Sequence, residues 1–180
     1  MAAADSQIVG AVLGGDTEAF GVLVDRYQER CFRLALHIVG SREDAEDAVQ
    51  ESFLRAYRYL GGYREREKFA AWLYRILVNQ CRTTLARRQR RELPMAAWEW
   101  DARAAADAGG ADQDALRDEL ARALDALTED QREAVVLRYA EDLTYDEMSA
   151  VTGAGVSALK MRVQRACARL RELLLEKSHA

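Results

Sequence analysis

Phe20, Leu23, Val24, Tyr27, Cys31, Leu34 and Ile38 recur at steps of three and four residues, the spacing that lines up side chains on one face of an α-helix. The same period runs through most of the 180 residues and predicts an all-α chain. Gly40 stops the first run, and Ser41 with Asp44 reads as the capping pair of a second helix with the apolar stripe Ala45, Ala48, Val49, Phe53, Ala56, Tyr57 and Leu60. Gly61-Gly62 ends it. After a short polar loop, Phe69, Trp72, Leu73, Ile76 and Leu77 open a third long helix that closes in a cluster of arginines. With a short helix from about Gln7 to Leu13, these elements are expected to bury their faces against one another as a bundle.

The last third of the chain is punctuated differently. Thr128-Glu129-Asp130-Gln131 and Thr144-Tyr145-Asp146-Glu147 both fit the capping box, in which a hydroxyl and a Glu or Gln side chain satisfy exposed N–H groups at a helix start. Gly153-Ala154-Gly155 then breaks the chain, and Ser157 reads as the N-cap of a final helix from Ala158 to about Glu176. A short helix, a glycine turn and a longer basic helix make the helix-turn-helix arrangement. Leu124, Leu127, Val135, Val136, Leu137 and Tyr139 are expected to be mostly core. Between the halves lie the only proline, Pro94, and the pair Gly109-Gly110. The expected organisation is an N-terminal helix bundle over 1–91, a flexible acidic linker over 92–117 and a C-terminal helix-turn-helix domain over 118–177.

Charge divides along the same lines. The net charge is only −4, yet from Arg64 to Arg91 nine basic residues stand against two acids, a balance of +7. From Met148 to Lys177 the balance is +4, with six basic residues against two acids, and from Glu92 to Asp118 it is −5, with two against seven. Two polyanion-binding segments flank an acidic spacer. Cys31, Cys81 and Cys167 are far apart and without ligand spacing, so reduced cysteines packed as small hydrophobes are expected and no metal site or cofactor. No arrangement of nucleophile, base and orienting group points to catalysis, and no glycine-rich phosphate cradle is present. No apolar run approaches the ~20 residues of a membrane span. Asp5 stands where a secretory signal needs basic residues, so the chain reads as cytoplasmic.

The run FLRAYRYLGGYREREKFAAWLYRILVNQCRTTLARRQRR, preceded by SREDAEDAVQES, resembles the first conserved domain of bacterial sigma factors of the extracytoplasmic-function (ECF) group within the sigma-70 family. LTEDQREAVVLRYAEDLTYDEMSAVTGAGVSALKMRVQRACARLREL is similar to their C-terminal, promoter-reading domain. The resemblance covers about Asp16 to Leu174 and implies a transcription initiation factor, not an enzyme. Such a factor is expected to bind core RNA polymerase and promoter DNA, with an anti-sigma factor as a further partner and no direct membrane insertion.

Asp44, Asp47 and Glu51 fall at i, i+3 and i+7 on one helix stripe, with Gln50 and Leu54 beside them. In similar sigma factors this surface docks on the clamp helices of the largest polymerase subunit. Opening a promoter exposes bases that need a place to sit, and Tyr63, Arg64, Glu65, Arg66 and Lys68 supply an aromatic surface, phosphate contacts and a carboxylate. Arg75, Asn79 and Arg82, at i, i+4 and i+7, form a face able to track a strand. The resemblance assigns this loop and helix to the −10 element as single strand, with the helix end near Arg87 and Arg88 on the backbone. Phe69 and Trp72 fall in the apolar series and are read as core. On the last helix Ser157, Ala158, Lys160, Met161 and Arg162 are placed near the bases of duplex −35 DNA, and Arg165 and Arg169 on phosphates. Val156, Leu159, Val163 and Leu170 pack inward, and a few apolar residues between Leu124 and Tyr139 are candidates for gripping the flap of the second-largest subunit. A stand-alone helix-turn-helix regulator would leave the acidic helix and the basic loop without a task, and a pure adaptor module would leave both basic surfaces without one.

Overall fold

The structure, a computed structural model, describes residues 4–64, 68–90 and 119–177, and every regular element among them is helical. Glu65, Arg66 and the 92–117 linker lie outside the described residues. Helix α1 (Asp5–Leu13) lays Ile8, Val9 and Val12 on α2 (Ala19–Val39), and Asp5 accepts a hydrogen bond from the Tyr27 hydroxyl at 2.5 Å. Gly40 closes α2 in the left-handed conformation (φ 69°), a conformation that disfavours any residue with a Cβ, and its N–H returns to the Leu36 carbonyl. Ser41 then caps α3 (Arg42–Tyr59), its hydroxyl accepting from the Asp44 N–H as the sequence predicts. A short 3₁₀ turn (Leu60–Gly62) follows, and the chain returns as α4 (Phe69–Arg90). Leu23 and Leu34 of α2, Ala45 and Phe53 of α3, and Phe69, Leu73 and Leu77 of α4 share one core. Truncating a core leucine such as Leu23 to alanine costs on the order of 2–5 kcal/mol.

The C-terminal half begins in α5 (119–125), described from Glu119. Arg132 of α6 (Glu129–Val135) is buried and donates to the carbonyls of Leu124, Asp125 and Leu127, tying down the end of α5. Both capping boxes form: Thr128 with Gln131, and Thr144 with Glu147 at the start of α7 (Tyr145–Thr152), each hydroxyl contributing about 1 kcal/mol. Gly153 ends α7 at φ 75°, and α8 (Val156–Lys177) follows.

Two local expectations need correction. The Leu159 N–H bonds to the Gly155 carbonyl, so α8 starts at Val156 and Ser157 sits inside its first turn instead of capping it. Tyr139 is 66% exposed although Val135, Val136 and Leu137 are buried. Residues Val136–Ala140 form a π-helical turn, whose extra residue rotates Tyr139 off the core register that an α-helix would have kept.

The two modules also touch. The N-terminal core continues without a break into Leu137, Met148, Val151 and Leu159 of the C-terminal half, while Leu124, Leu127, Val135 and Ala166 form a smaller cluster behind it. Helix α4 packs on α7, and α2 on α6.

Candidate nucleic-acid interface

Lys68, Arg75, Asn79 and Arg82 follow one another at steps of seven, four and three residues, so they share one narrow stripe along α4. Asn79 and Lys68 are exposed, and Arg75 and Arg82 are half-buried. Both ends of the stripe are engaged by the C-terminal module. The Lys68 ammonium stands 2.7 Å from the Glu147 carboxylate, which raises the lysine pKa and lowers that of the glutamate. Arg82 donates through Nε and Nη2 to the two oxygens of Glu133, at 3.1 and 2.7 Å, and through Nη1 to the Thr152 carbonyl at 3.0 Å. Burial pushes the Glu133 carboxyl above its ordinary value, only partly countered by the Arg82 guanidinium. Nearby, the Tyr74 hydroxyl donates to Glu141 at 2.5 Å and Arg30 lies 3.3 Å from the same carboxylate.

The loop before α4 is partly folded into the core. Tyr63 is half-buried, its ring centroid 5.6 Å from Phe69 and 5.5 Å from Trp72, and both of those rings are buried as the apolar series predicts. The aromatic surface of Tyr63 is therefore packed in this conformation. Arg64 is exposed beside it.

Along α8 the two faces separate cleanly. Leu159 and Val163 are buried, Val156 and Leu170 half-buried, and Ser157, Ala158, Lys160, Met161, Arg165 and Arg169 exposed. Lys160 lies over the Tyr145 ring at 5.7 Å, Arg162 pairs with Asp130 at 2.7 Å, and Arg169 stands 3.3 Å from Glu172. Lys160 and Arg169 stay exposed in these contacts, while Arg162 is half-buried against Asp130.

The acidic surface stands on α3. Asp47, Gln50 and Leu54 are exposed, and Asp44 and Glu51 half-buried. Arg55 donates to Glu51 at 2.7 Å and holds its carboxyl below the usual range. Gln50 and Leu54 form a ridge between two concavities. One, of about 890 Å³, is lined by Asp44, Asp47 and Glu51 together with Arg87 and Arg88; the other, of about 770 Å³, is apolar and lined by Phe20, Val24, Phe53 and Tyr57. Arg88 reaches to 3.7 Å from Asp44. Arg87 and Arg88 thus lie with the carboxylates of α3, a different side of α4 from Arg75, Asn79 and Arg82.

Sequence reasoning missed Glu133, Glu141 and Tyr74 as interface residues and assigned Glu147 only to a cap. The available signal was two acids, Glu133 and Glu141, set among helical apolar residues where a solvated carboxylate is out of place. Cys31 and Cys81 are buried as expected, and burial raises both thiols, Cys81 to about 12. Among the described residues no group of His, Cys, Asp or Glu is gathered in a way that could hold a metal, and no helix is long and apolar enough to cross a membrane.

Comparison with known proteins adds two matches along the chain: residues 23–91 to Sigma-70 region 2, and residues 117–170 to Sigma-70, region 4. The RNA polymerase sigma-H factor of Pseudomonas aeruginosa is 34% identical over 172 residues, covering 90% of this chain and 89% of that protein. The ECF RNA polymerase sigma-E factor of Escherichia coli K12 is 34% identical over 173 residues, 90% of each chain. Among solved structures, the sigma factor RpoE in complex with the anti-sigma factor NepR from Bartonella quintana matches at TM-score 0.70 and 25% identity, over 86% of this chain and 96% of that one. CnrH in complex with the cytosolic domain of CnrY matches at TM-score 0.70 and 28% identity, over 96% and 97%.

Proposed function

Because the chain belongs to the sigma-70 family, as an ECF sigma factor serving promoter-specific transcription initiation, we propose a division of labour among its three surfaces. The α3 ridge docks on core RNA polymerase, with Asp44, Asp47, Gln50, Glu51 and Leu54 meeting the clamp helices of the largest subunit. The stripe Lys68, Arg75, Asn79 and Arg82, with Tyr63, Arg64, Glu65 and Arg66 from the loop, holds the −10 element as single strand. Helix α8 reads the −35 element as duplex, with Ser157, Ala158, Lys160, Met161 and Arg162 near base edges and Arg165 and Arg169 on phosphates. Arg87 and Arg88 contribute backbone contacts at the edge of the acidic concavity. The division of the chain at 1–91, 92–117 and 118–177 follows from the same reading.

The observation that carries this reading is the one-sidedness of α8: Leu159, Val163 and Ala166 anchor it, while Ser157, Lys160, Arg165 and Arg169 stand exposed from the first turn onward and Arg162 is half-buried beside Asp130. A helix held by its apolar side, with its N-terminal residues outward, has the form that enters a major groove. Tyr139, exposed at the π turn, is the residue of the 124–139 series best placed for the flap of the second-largest subunit. An anti-sigma factor is a further partner, a reading supported by the similar sigma factor from Bartonella quintana that was solved with one.

Footprinting the chain bound to core polymerase, on a promoter found by mapping factor-dependent transcript starts, tests the assignment. Protected duplex near −35 and permanganate-reactive thymines near −10 are expected, both absent with core enzyme alone. Protection near −35 that survives Arg165→Ala and Lys160→Ala together would contradict the role given to α8.

A further inference from the structure

We propose that Gln80 of α4 is a receptor for a cationic side chain of core RNA polymerase: its buried amide oxygen and the Asp47 carboxylate take one guanidinium or ammonium group in the concavity beside the α3 ridge. The inference rests on the docking role proposed above for α3.

Leu73, Leu77, Gln80, Thr84 and Arg87 follow one another at steps of four, three, four and three residues, so they share one stripe of α4. The first two are fully buried in the core, and the last three line the concavity of about 890 Å³. Gln80 stands where the stripe passes from one to the other. It is only 8% exposed, and its side-chain oxygen is buried and meets no hydrogen-bond donor among the described residues. A buried acceptor left unpaired lowers stability by more than a typical hydrogen bond adds, and a leucine at such a position carries no such penalty. The amide therefore weakens the free chain, and a donor arriving from outside recovers the loss.

The kind of donor follows from charge. Across the concavity Arg55 answers Glu51 and Arg88 lies 3.7 Å from Asp44, while Asp47 makes no ion pair among the described residues. An unpaired carboxylate and an unpaired amide oxygen are both acceptors, so the group that satisfies them together carries several N–H donors and a positive charge. A metal ion does not meet that description, because among the described residues the acids are not gathered as a metal requires. A partner's side chain does: Gln50 and Leu54, the exposed ridge of the docking surface, form the rim of the same concavity. A long arginine or lysine of a protein seated on that ridge reaches down its wall. Rotation about the terminal torsion of Gln80, which is broad for an amide, turns the oxygen toward it.

The test titrates core RNA polymerase into the full-length chain, labelled at its N-terminus, and reads fluorescence anisotropy beside the thermal unfolding of the free chain. Gln80→Leu is expected to raise the unfolding temperature and to weaken core binding at least fivefold, two effects that run in opposite directions. Gln80→Glu keeps the length of the side chain and adds a charge, so core affinity should at least equal that of wild type at low salt and fall more steeply as salt is added. A folded Gln80→Leu that binds core as tightly as wild type overturns the proposal and leaves water as the partner of the amide. A weaker Gln80→Leu that also unfolds at a lower temperature assigns Gln80 to the core and overturns it as well. So does a folded Gln80→Glu that loses as much affinity as Gln80→Leu, since the group received would then carry no charge. Should Gln80→Glu not fold, the two readings on Gln80→Leu decide alone. Asp47→Arg separates the receptor from the docking role of α3: lost core affinity there beside an unaffected Gln80→Leu removes only the receptor, and full affinity of Asp47→Arg removes both.

Discussion

Arg82 and Glu133 lie 51 residues apart in sequence and meet as a two-pronged pair across the boundary between the modules, at 2.7 and 3.1 Å. The pair is asymmetric: the arginine side chain is 37% exposed and the glutamate 5%. Water can replace Glu133 around the guanidinium, but little water reaches the glutamate. Arg82 therefore matters twice, as a proposed DNA contact and as the counter-charge of a buried acid.

Removing the cation strands the acid. Arg82→Ala is expected to lower stability at neutral pH by about 2 kcal/mol in urea denaturation, below the full cost of breaking a deeply buried pair because the arginine is partly solvated. Burial already raises the Glu133 pKa, so losing Arg82 raises it further and the penalty shrinks as falling pH protonates the acid. A loss under about 0.5 kcal/mol would show that the contact between the modules leaves Glu133 solvated.

Asn79 is exposed in the middle of the α4 stripe, with no charge to give it a general affinity for phosphates. Asn79→Ala is expected to reduce formation of the open complex several-fold while leaving duplex binding nearly intact, since its amide meets the strand only once the bases are unpaired. Permanganate reactivity and duplex band shifts on one promoter read the two effects separately. Equal losses in both would contradict the assignment.

Arg165 projects from the exposed side of α8 one turn beyond the residues placed near bases. Arg165→Ala is expected to weaken duplex binding by a similar factor on every sequence and to reduce the slope of log K against log salt by about one. A loss concentrated on one base pair would move Arg165 into the base-reading set.

His37, near the end of α2, has its pKa lowered to about 4, first by burial and then by the charges of Arg132 and Arg33. Unfolded histidine titrates near 6.5, so the folded chain resists protonation of this ring. Its contribution to stability is fully present above pH 6.5 and is lost as pH falls toward about 4. An NMR titration of the imidazole should find it neutral at pH 5.5; a midpoint near 6.5 would mean that the ring is solvated.

The sequence made legible whatever depends on neighbours a few residues apart. Ser41, Thr128 and Thr144 cap their helices because each hydroxyl finds its N–H three residues on, and the apolar series puts Phe69, Trp72, Leu159 and Val163 inside. The missed details have equally local causes: the first bond of α8 goes to a glycine carbonyl, which carries no side-chain signal, and a π turn displaces Tyr139. The module contact was out of reach for a different reason. Tyr74 and Glu141 are 67 residues apart, and no spacing rule joins them. Knowing that basic and acidic faces exist does not reveal that Arg88 stands beside Asp44 or that Glu133 faces Arg82.

Run-off transcription with purified core RNA polymerase tests the central claim most directly. With a promoter drawn from the chain's own mapped start sites, the wild-type chain should produce a discrete transcript that core enzyme alone does not. Asp47→Arg, which reverses charge at the exposed centre of the α3 surface, should abolish most of that transcript while the chain still binds −35 duplex. Failure of the wild-type chain to direct any transcript from such promoters would contradict the account, as would full activity of Asp47→Arg for the surface assigned to the polymerase.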